Sequence, residues 1–394
     1  MDKPIPYGRQ NITREDIDSV VQALQSDYLT QGPKIQEFEE KFAAYIGSKY
    51  AVAVANGTAA LHLSTLSLDV QTGDKVITTP ITFAASANCV RYCGGEVVFA
   101  DIDPDTYLLD IRKVQKLLEQ SPKGTFKGII PVDFAGRSVD LEKFKKLADE
   151  YGLWIVEDAC HAPGGFFIDS NGQEVFCGNG RFSDLSIFSF HPVKHIACGE
   201  GGMITTNNEV LYKRLLQLRT HGITKEEFNY ENSIELAGGK QHYPNWYMEM
   251  QELGYNYRIT DFQSALGLSQ LQRADDGLKR RREIAENYFN SFKGKKYILG
   301  QSGIVKGHAY HLYILEVEDR LELYNYLREH RILAQIHYIP CHLMPYYQKK
   351  GWKVGDLPYA ENYYKHCLSL PMFPSFTQDE QDFVIAKIIA FYER

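Results

Sequence analysis

No apolar run in this 394-residue sequence reaches the eighteen or so residues that a membrane span needs, so no spanning helix is expected. The opening segment, MDKPIPYGRQNITRED, lacks the apolar stretch of a secretory signal, and a cytoplasmic location is the expectation. Seven cysteines (Cys89, Cys93, Cys160, Cys177, Cys198, Cys341 and Cys367) include no CxxC pair. That disfavours zinc ribbons and thioredoxin-like chemistry, fits a reducing compartment, and leaves no metal site to expect. Positive charge is not in excess: 43 Lys and Arg against 50 Asp and Glu leave a net −7, which argues against nonspecific binding to nucleic acid. Glycine and proline are near average abundance and no segment repeats, which excludes collagen-like and low-complexity readings. What the chain does have is length, more than one hydrophobic core usually organises, so two domains are expected. It also has 26 tyrosines, whose hydroxyls need partners wherever they are buried.

A first helix is predicted after Thr13, where Ile17, Val20, Val21 and Leu24 recur at helical spacing, and a second over about 35–46, ended by Gly47. Short apolar runs then alternate with helical patterns. The runs are 51–55, 76–78, 97–100, 128–132, 154–158, 184–190 and 202–206. This rhythm predicts an α/β fold with a mostly parallel sheet covered by helices on both faces. Beyond about residue 207 it changes to a helix, a long polar and aromatic loop (228–252), and a long helix from about Asp261. The remainder, with strands near HLYILEV and LAQIHY and a terminal helix from about Gln378, reads as a compact α+β unit.

Two places carry chemistry. Lys194 follows an apolar strand and precedes the glycine-rich Gly199-Glu200-Gly201-Gly202, as a lysine that forms an imine would; taken alone, it reads more readily as a surface charge. Asp158 ends a strand on the side where open α/β sheets bind ligands, and taken alone it is also a helix cap. Together they suit pyridoxal phosphate. That cofactor needs a lysine for its aldehyde and a carboxylate against its pyridine nitrogen, because the protonated ring is the strong electron sink. Its phosphate needs N–H groups at a helix start, which Asn56-Gly57-Thr58-Ala59-Ala60 supplies. The same segment lacks the later glycines of a dinucleotide fingerprint, which disfavours a nicotinamide-dependent oxidoreductase.

At these residues the sequence resembles the nucleotide-sugar aminotransferase family of fold-type I pyridoxal enzymes. The likeness runs through Tyr28-Leu29-Thr30-Gln31-Gly32-Pro33, Asn56-Gly57-Thr58, Thr79-Pro80-Ile81-Thr82-Phe83 and Glu157-Asp158-Ala159-Cys160-His161-Ala162. It continues through Ser189 to Gly202, Arg219-Thr220-His221-Gly222 and Gly254-Tyr255-Asn256-Tyr257-Arg258. The resemblance implies a large pyridoxal-phosphate-binding domain over 14–258 and a smaller α+β domain over 259–394 with 1–13. It implies Lys194 as the cofactor-bearing, proton-moving residue and Asp158 as the partner of the pyridine nitrogen. His161 falls where the ring hydroxyl is contacted and Phe83 where the ring is stacked; Gly57, Thr58 and Ser189 match phosphate ligands. Asn256 matches a phosphate ligand given by a second subunit, which implies a homodimer with shared sites. Lys194 stands where sugar-dehydratase relatives carry histidine, which favours amino transfer.

Around the sugar nucleotide the candidates are Tyr7, Thr30, His311, His337 and Tyr338, near the predicted domain junction, with Arg258 as a phosphate-binding cation. Segments 132–139, 263–271 and 332–340 are similar to the branch that aminates C4 of a UDP-linked 4-keto-6-deoxy-N-acetyl hexose, the pseudaminic acid type, with glutamate as donor. The alternative is another nucleotide-linked 4-keto sugar, of perosamine or 4-amino-arabinose type. Two stretches, about 166–180 and 228–252, look longer than the family pattern.

Overall fold

The computed structural model describes residues 3–393. After a short strand, β1 (Ile5–Pro6), come helices α1 (Arg14–Leu24) and α2 (Pro33–Ile46). Pro33 sits in the first turn of α2, where its missing N–H costs nothing, and Gly47 ends the helix at φ 84°, a left-handed conformation suited to glycine.

Each of the seven apolar runs becomes a strand of one sheet. They are β2 (Tyr50–Val54), β3 (Lys75–Thr78), β4 (Glu96–Phe99), β5 (Phe126–Ile130) and β6 (Trp154–Asp158). After the hairpin of β7 (Phe166–Ile168) and β8 (Glu174–Phe176) come β9 (Leu185–Ser189) and β10 (Gly202–Thr206). The sheet order is β2-β10-β9-β6-β5-β3-β4. All neighbours are parallel except β10, which runs against both β2 and β9. The hairpin fills the 166–180 stretch.

The strands are buried because helices cover both faces, and Val52, Ile77, Ile129, Ile155, Ile187 and Ile204 are fully enclosed. Toward the C-terminus a three-stranded antiparallel sheet, with Tyr313–Val317 at its centre, packs on Ala274–Phe292 and Gln378–Tyr392. Ile5 of β1 belongs to that core, because β1 pairs in parallel with Ile332–Leu333. Among the described residues no helix is long and apolar enough to cross a membrane.

Three local expectations are corrected. The long helix from Asp261 is two, Asp261–Leu271 and Ala274–Phe292, and the break lets Gln270 and Arg273 both reach the buried Asp16 carboxylate, at 2.7 and 2.6 Å. In LAQIHY only Leu333 belongs to a strand; the rest follows Cys367–Leu370 through a single bridge, Gln335 to Ser369. The stripe on α1 does not face the interior: Ile17, Val21 and Leu24 are exposed, while Asp16 and Ala23 on the same helix are buried.

Candidate active site

The parallel strands end at one edge of the sheet, and the loops leaving them enclose a cavity of about 440 Å³. There β2 gives way to helix α3 (Gly57–Ser67), capped by Asn56, whose side chain accepts from the Ala59 N–H at 2.8 Å. The N–H groups of Gly57 and Thr58 precede the first intrahelical bond, so this end is built to meet an anion. Glycine is required twice. A Cβ on Gly57 would lie 3.0 Å from that of Ser189, and one on Gly202 would lie 2.5 Å from the Asn56 carbonyl oxygen. Only bare backbone lets β9, β10 and the helix start converge so closely.

Asp158, at the end of β6, is buried with one oxygen accepting from the Ser86 hydroxyl at 2.6 Å and the other from the Cys160 N–H at 3.2 Å. Ser86 in turn lies 2.7 Å from the Thr82 hydroxyl. Neither hydroxyl was singled out from the sequence, although their four-residue spacing at the start of helix Ala85–Tyr92 was the available signal.

Lys194 leaves β9 in a tight turn, its N–H bonded to the His191 carbonyl, and its Nζ lies 3.5 Å from His311 Nε2. Burial lowers the ammonium's pKa, and Cys160 and Asp158 oppose that. His161 receives the Ala135 N–H on Nδ1 at 3.2 Å, so its proton resides on Nε2, which lies 3.4 Å from the Tyr338 hydroxyl. Phe83 stays 63% exposed, with Tyr338 as its ring neighbour at 6.3 Å. His337 is tied to Ser369 at 2.8 Å and lies against the Tyr7 ring at 5.0 Å.

The cavity thus gathers Tyr7, Gly57, Thr58, Phe83, Asp158, His161, Ser189, Lys194, His337 and Tyr338. Asn56, from the expected phosphate-binding segment, also lines it, as do Thr82, Ser86 and Cys160, to which the sequence assigned no role. Four expected residues do not line it. His311 sits behind Lys194. Thr30 is exposed on a bridge to Thr260, and Asn256 is exposed on a bridge to Thr220. Arg258 lines a separate cavity beside Gln31 and Arg219, its Nε buried without a partner among the described residues. The tyrosines of the long loop do not reach the cavity either: Tyr230, Tyr243 and Tyr247 pack on one another within 5.5 Å.

Next to Asp158 in the sheet interior, Asp133 and Glu157 face each other beside Cys177. Burial and the neighbouring Glu157 carboxylate raise the Asp133 carboxyl, and burial raises Glu157.

The buried histidines have a measurable consequence. Burial drives His161, His195, His308 and His311 well below the usual imidazole value, and His337 down to about 3. Unfolded histidines take up protons near pH 6.5, whereas these do so only far lower. The unfolded chain therefore binds more protons as pH falls, and the melting temperature is expected to drop steadily from about pH 6.5 to 5. A melting temperature flat across that range would contradict the assignment.

Pyridoxal phosphate fits this donor set. A carboxylate held only by donors stands opposite an amine, an exposed aromatic face lies on the wall, and an uncapped pair of helix N–H groups lies beside the Ser189 hydroxyl.

Comparison with known proteins agrees. The model of the DegT/DnrJ/EryC1/StrS aminotransferase family matches residues 10–389. The spore coat polysaccharide biosynthesis protein SpsC of Bacillus subtilis is 39% identical over 98% of this chain and 96% of its own. The UDP-4-amino-4,6-dideoxy-N-acetyl-beta-L-altrosamine transaminase of Campylobacter jejuni is 35% identical over 99% and 98%. Among solved structures, Helicobacter pylori PseC, an aminotransferase of pseudaminic acid biosynthesis, superposes with a TM-score of 0.86 at 29% identity, covering 99% and 100% of the two chains. The pyridoxal phosphate form of the putative sugar aminotransferase Spr1654 of Streptococcus pneumoniae gives 0.85 at 28%, covering 99% of each. A cavity shaped for pyridoxal phosphate and a match over nearly the full length lead to one conclusion: the chain belongs to the DegT/DnrJ/EryC1/StrS aminotransferase family, as a pyridoxal-phosphate-dependent sugar aminotransferase.

Proposed function

We propose that the enzyme moves an amino group from glutamate to C4 of a UDP-linked 4-keto-6-deoxy-N-acetyl hexose, as in the pseudaminic acid pathway. The observation that carries this reading is 35% identity, over nearly the whole chain, to a relative named for that transamination. The 39% identity to a spore coat polysaccharide protein supports a second reading, the same chemistry on another nucleotide-linked 4-keto sugar, of perosamine or 4-amino-arabinose type. A panel of purified UDP-, GDP- and dTDP-linked 4-keto sugars with glutamate separates the two. The UDP-linked N-acetyl hexose is expected to give the highest kcat/KM, and preference for a GDP-linked or pentose substrate would displace the first reading.

Bound pyridoxal phosphate supplies an exchangeable aldehyde and a ring that withdraws electrons from the carbon next to the amine. The chain's own groups do the rest. Lys194 would anchor the cofactor and, as the amine, would be the group that moves the proton. Asp158 would keep the ring nitrogen protonated, His161 Nε2 would be the donor available to the ring hydroxyl, and Phe83 would cover the ring's face. Gly57, Thr58 and Ser189 hold the phosphate. Tyr7, His337 and Tyr338 form the sugar-side wall.

The protein acts as a homodimer in this reading. Exposed Ile17, Val21, Leu24, Tyr28 and Leu29 form an apolar surface suited to self-association. Asn256, Thr30 and Arg258 then serve the partner's site, which accounts for their distance from this one. We also retain the division into 14–258 and 259–394 with 1–13, supported by Ile5 sharing a core with Tyr288 and Leu327.

A further inference from the structure

Of the four imidazoles that face the Lys194 amine, His337 is bonded to the Ser369 hydroxyl, and two of the other three have their protons assigned by backbone. His161 Nδ1 accepts from Ala135 N–H, and His195 Nε2 donates to the Ala309 carbonyl at 2.9 Å. The third, His311, has no backbone partner on either nitrogen among the described residues. Its Nε2 faces Lys194 Nζ at 3.5 Å, the long end of a hydrogen bond and typical of sites that tighten on loading. Its Nδ1 is buried with no hydrogen-bond partner among the described residues. A buried N–H without an acceptor is costlier and rarer than a bare acceptor, so the His311 proton belongs on Nε2, directed at the lysine nitrogen.

Resting on Lys194 as the cofactor-bearing residue, we propose that His311 is its positioning partner, donating from Nε2–H to Nζ and so holding the amine in its unprotonated, nucleophilic form. An ammonium has no lone pair to receive that bond; an amine has one.

A second feature is built for the same end. Arg281 is fully buried and has no carboxylate within 4 Å among the described residues. Its guanidinium instead donates to the carbonyls of Tyr310, His311 and Met372 at 3.2, 3.3 and 3.0 Å. It therefore fixes the backbone that carries His311, and it sets an uncompensated positive charge behind both His311 and Lys194. A further proton on either is disfavoured. The other groups facing Lys194 divide. Asp158 and Cys160 favour its charged form, while burial, the largest influence, acts with Arg281 against it. His161, His195 and His337 face it as neutral rings, each kept so by burial.

The test uses apoenzyme mixed with pyridoxal phosphate across a pH series, quenched with borohydride at timed intervals, with the label on the Lys194 peptide measured by mass spectrometry. In His311→Phe the pH midpoint of capture is expected to rise by on the order of one unit, which is about tenfold slower capture at neutral pH. His311→Gln, which keeps an N–H donor, is expected to stay near the wild-type midpoint. If His311→Phe does not fold, His311→Leu carries the same expectation. An unchanged midpoint in the apolar variant, even with a lower rate at every pH, overturns the role, as does a His311→Gln shift equal to that of Phe. A label persisting in Lys194→Ala overturns the reading of Lys194 and this role with it, whereas label on Lys194 with an unmoved midpoint removes only His311.

Discussion

Lys194→Ala protein is expected to transfer no measurable amine, a loss of at least about ten-thousandfold, while still binding pyridoxal phosphate. Two losses fall on one nitrogen. The covalent anchor goes, and so does the group that moves the proton, a role that by itself contributes on the order of a hundred- to ten-thousandfold. Binding persists because Asp158, the α3 start and Phe83 are untouched by the change, and none of them depends on Lys194 for its hydrogen bonds. Two measurements check it: 2-oxoglutarate released from glutamate, and the visible band of the bound cofactor, which responds to borohydride in wild type and should not in the variant. Turnover within about tenfold of wild type would remove Lys194 from the chemistry.

Asp158→Asn should lower turnover by about a hundred- to thousandfold, the scale seen when one preorganised electrostatic partner is taken from a reacting centre. The asparagine fills the same volume and still accepts one of the two hydrogen bonds that now come from Ser86 and Cys160. What disappears is the negative charge opposite the pyridine nitrogen, and with it the reason for that nitrogen to stay protonated. The effect should fall on kcat, with the cofactor retained through Lys194. A variant that loses cofactor but keeps kcat when resaturated would show Asp158 to be a binding residue only.

The sequence made the sheet legible because its strands are buried on both faces, so that runs such as AVAVA and WIVED carry no competing helical pattern. The strand order was not legible. Nothing in GMITT tells that β10 runs against its neighbours, since direction is decided by the connection and not by the strand. The exposed stripe on α1 misled for a related reason: apolar periodicity reports a face that prefers burial, and it does so whether the cover is this chain or another. At the site, Lys194 and Asp158 were visible because cofactor chemistry demands their residue types. Ser86 was not, because a serine has many ordinary uses, and only the 2.6 Å contact with Asp158 gives it a particular one. His311 was visible as a polar residue near a domain junction. Its place behind the lysine depends on where Arg281 holds the backbone, which no local pattern encodes.

The pairing of β1 with Ile332–Leu333 also sets an order of events at the ribosome. The strands of the large sheet are all present once residue 206 has emerged, whereas Ile5 must wait for Ile332, more than three hundred residues later, before it can dock. Tyr7 rides on that arm, and His337 and Tyr338 follow its partner strand by a few residues, so this wall of the cavity is assembled from segments more than three hundred residues apart. A nascent chain can therefore build the cradle for the phosphate and the ring long before it can enclose a sugar. Closure of the mouth therefore waits on a contact of very long sequence separation, the slowest kind to form.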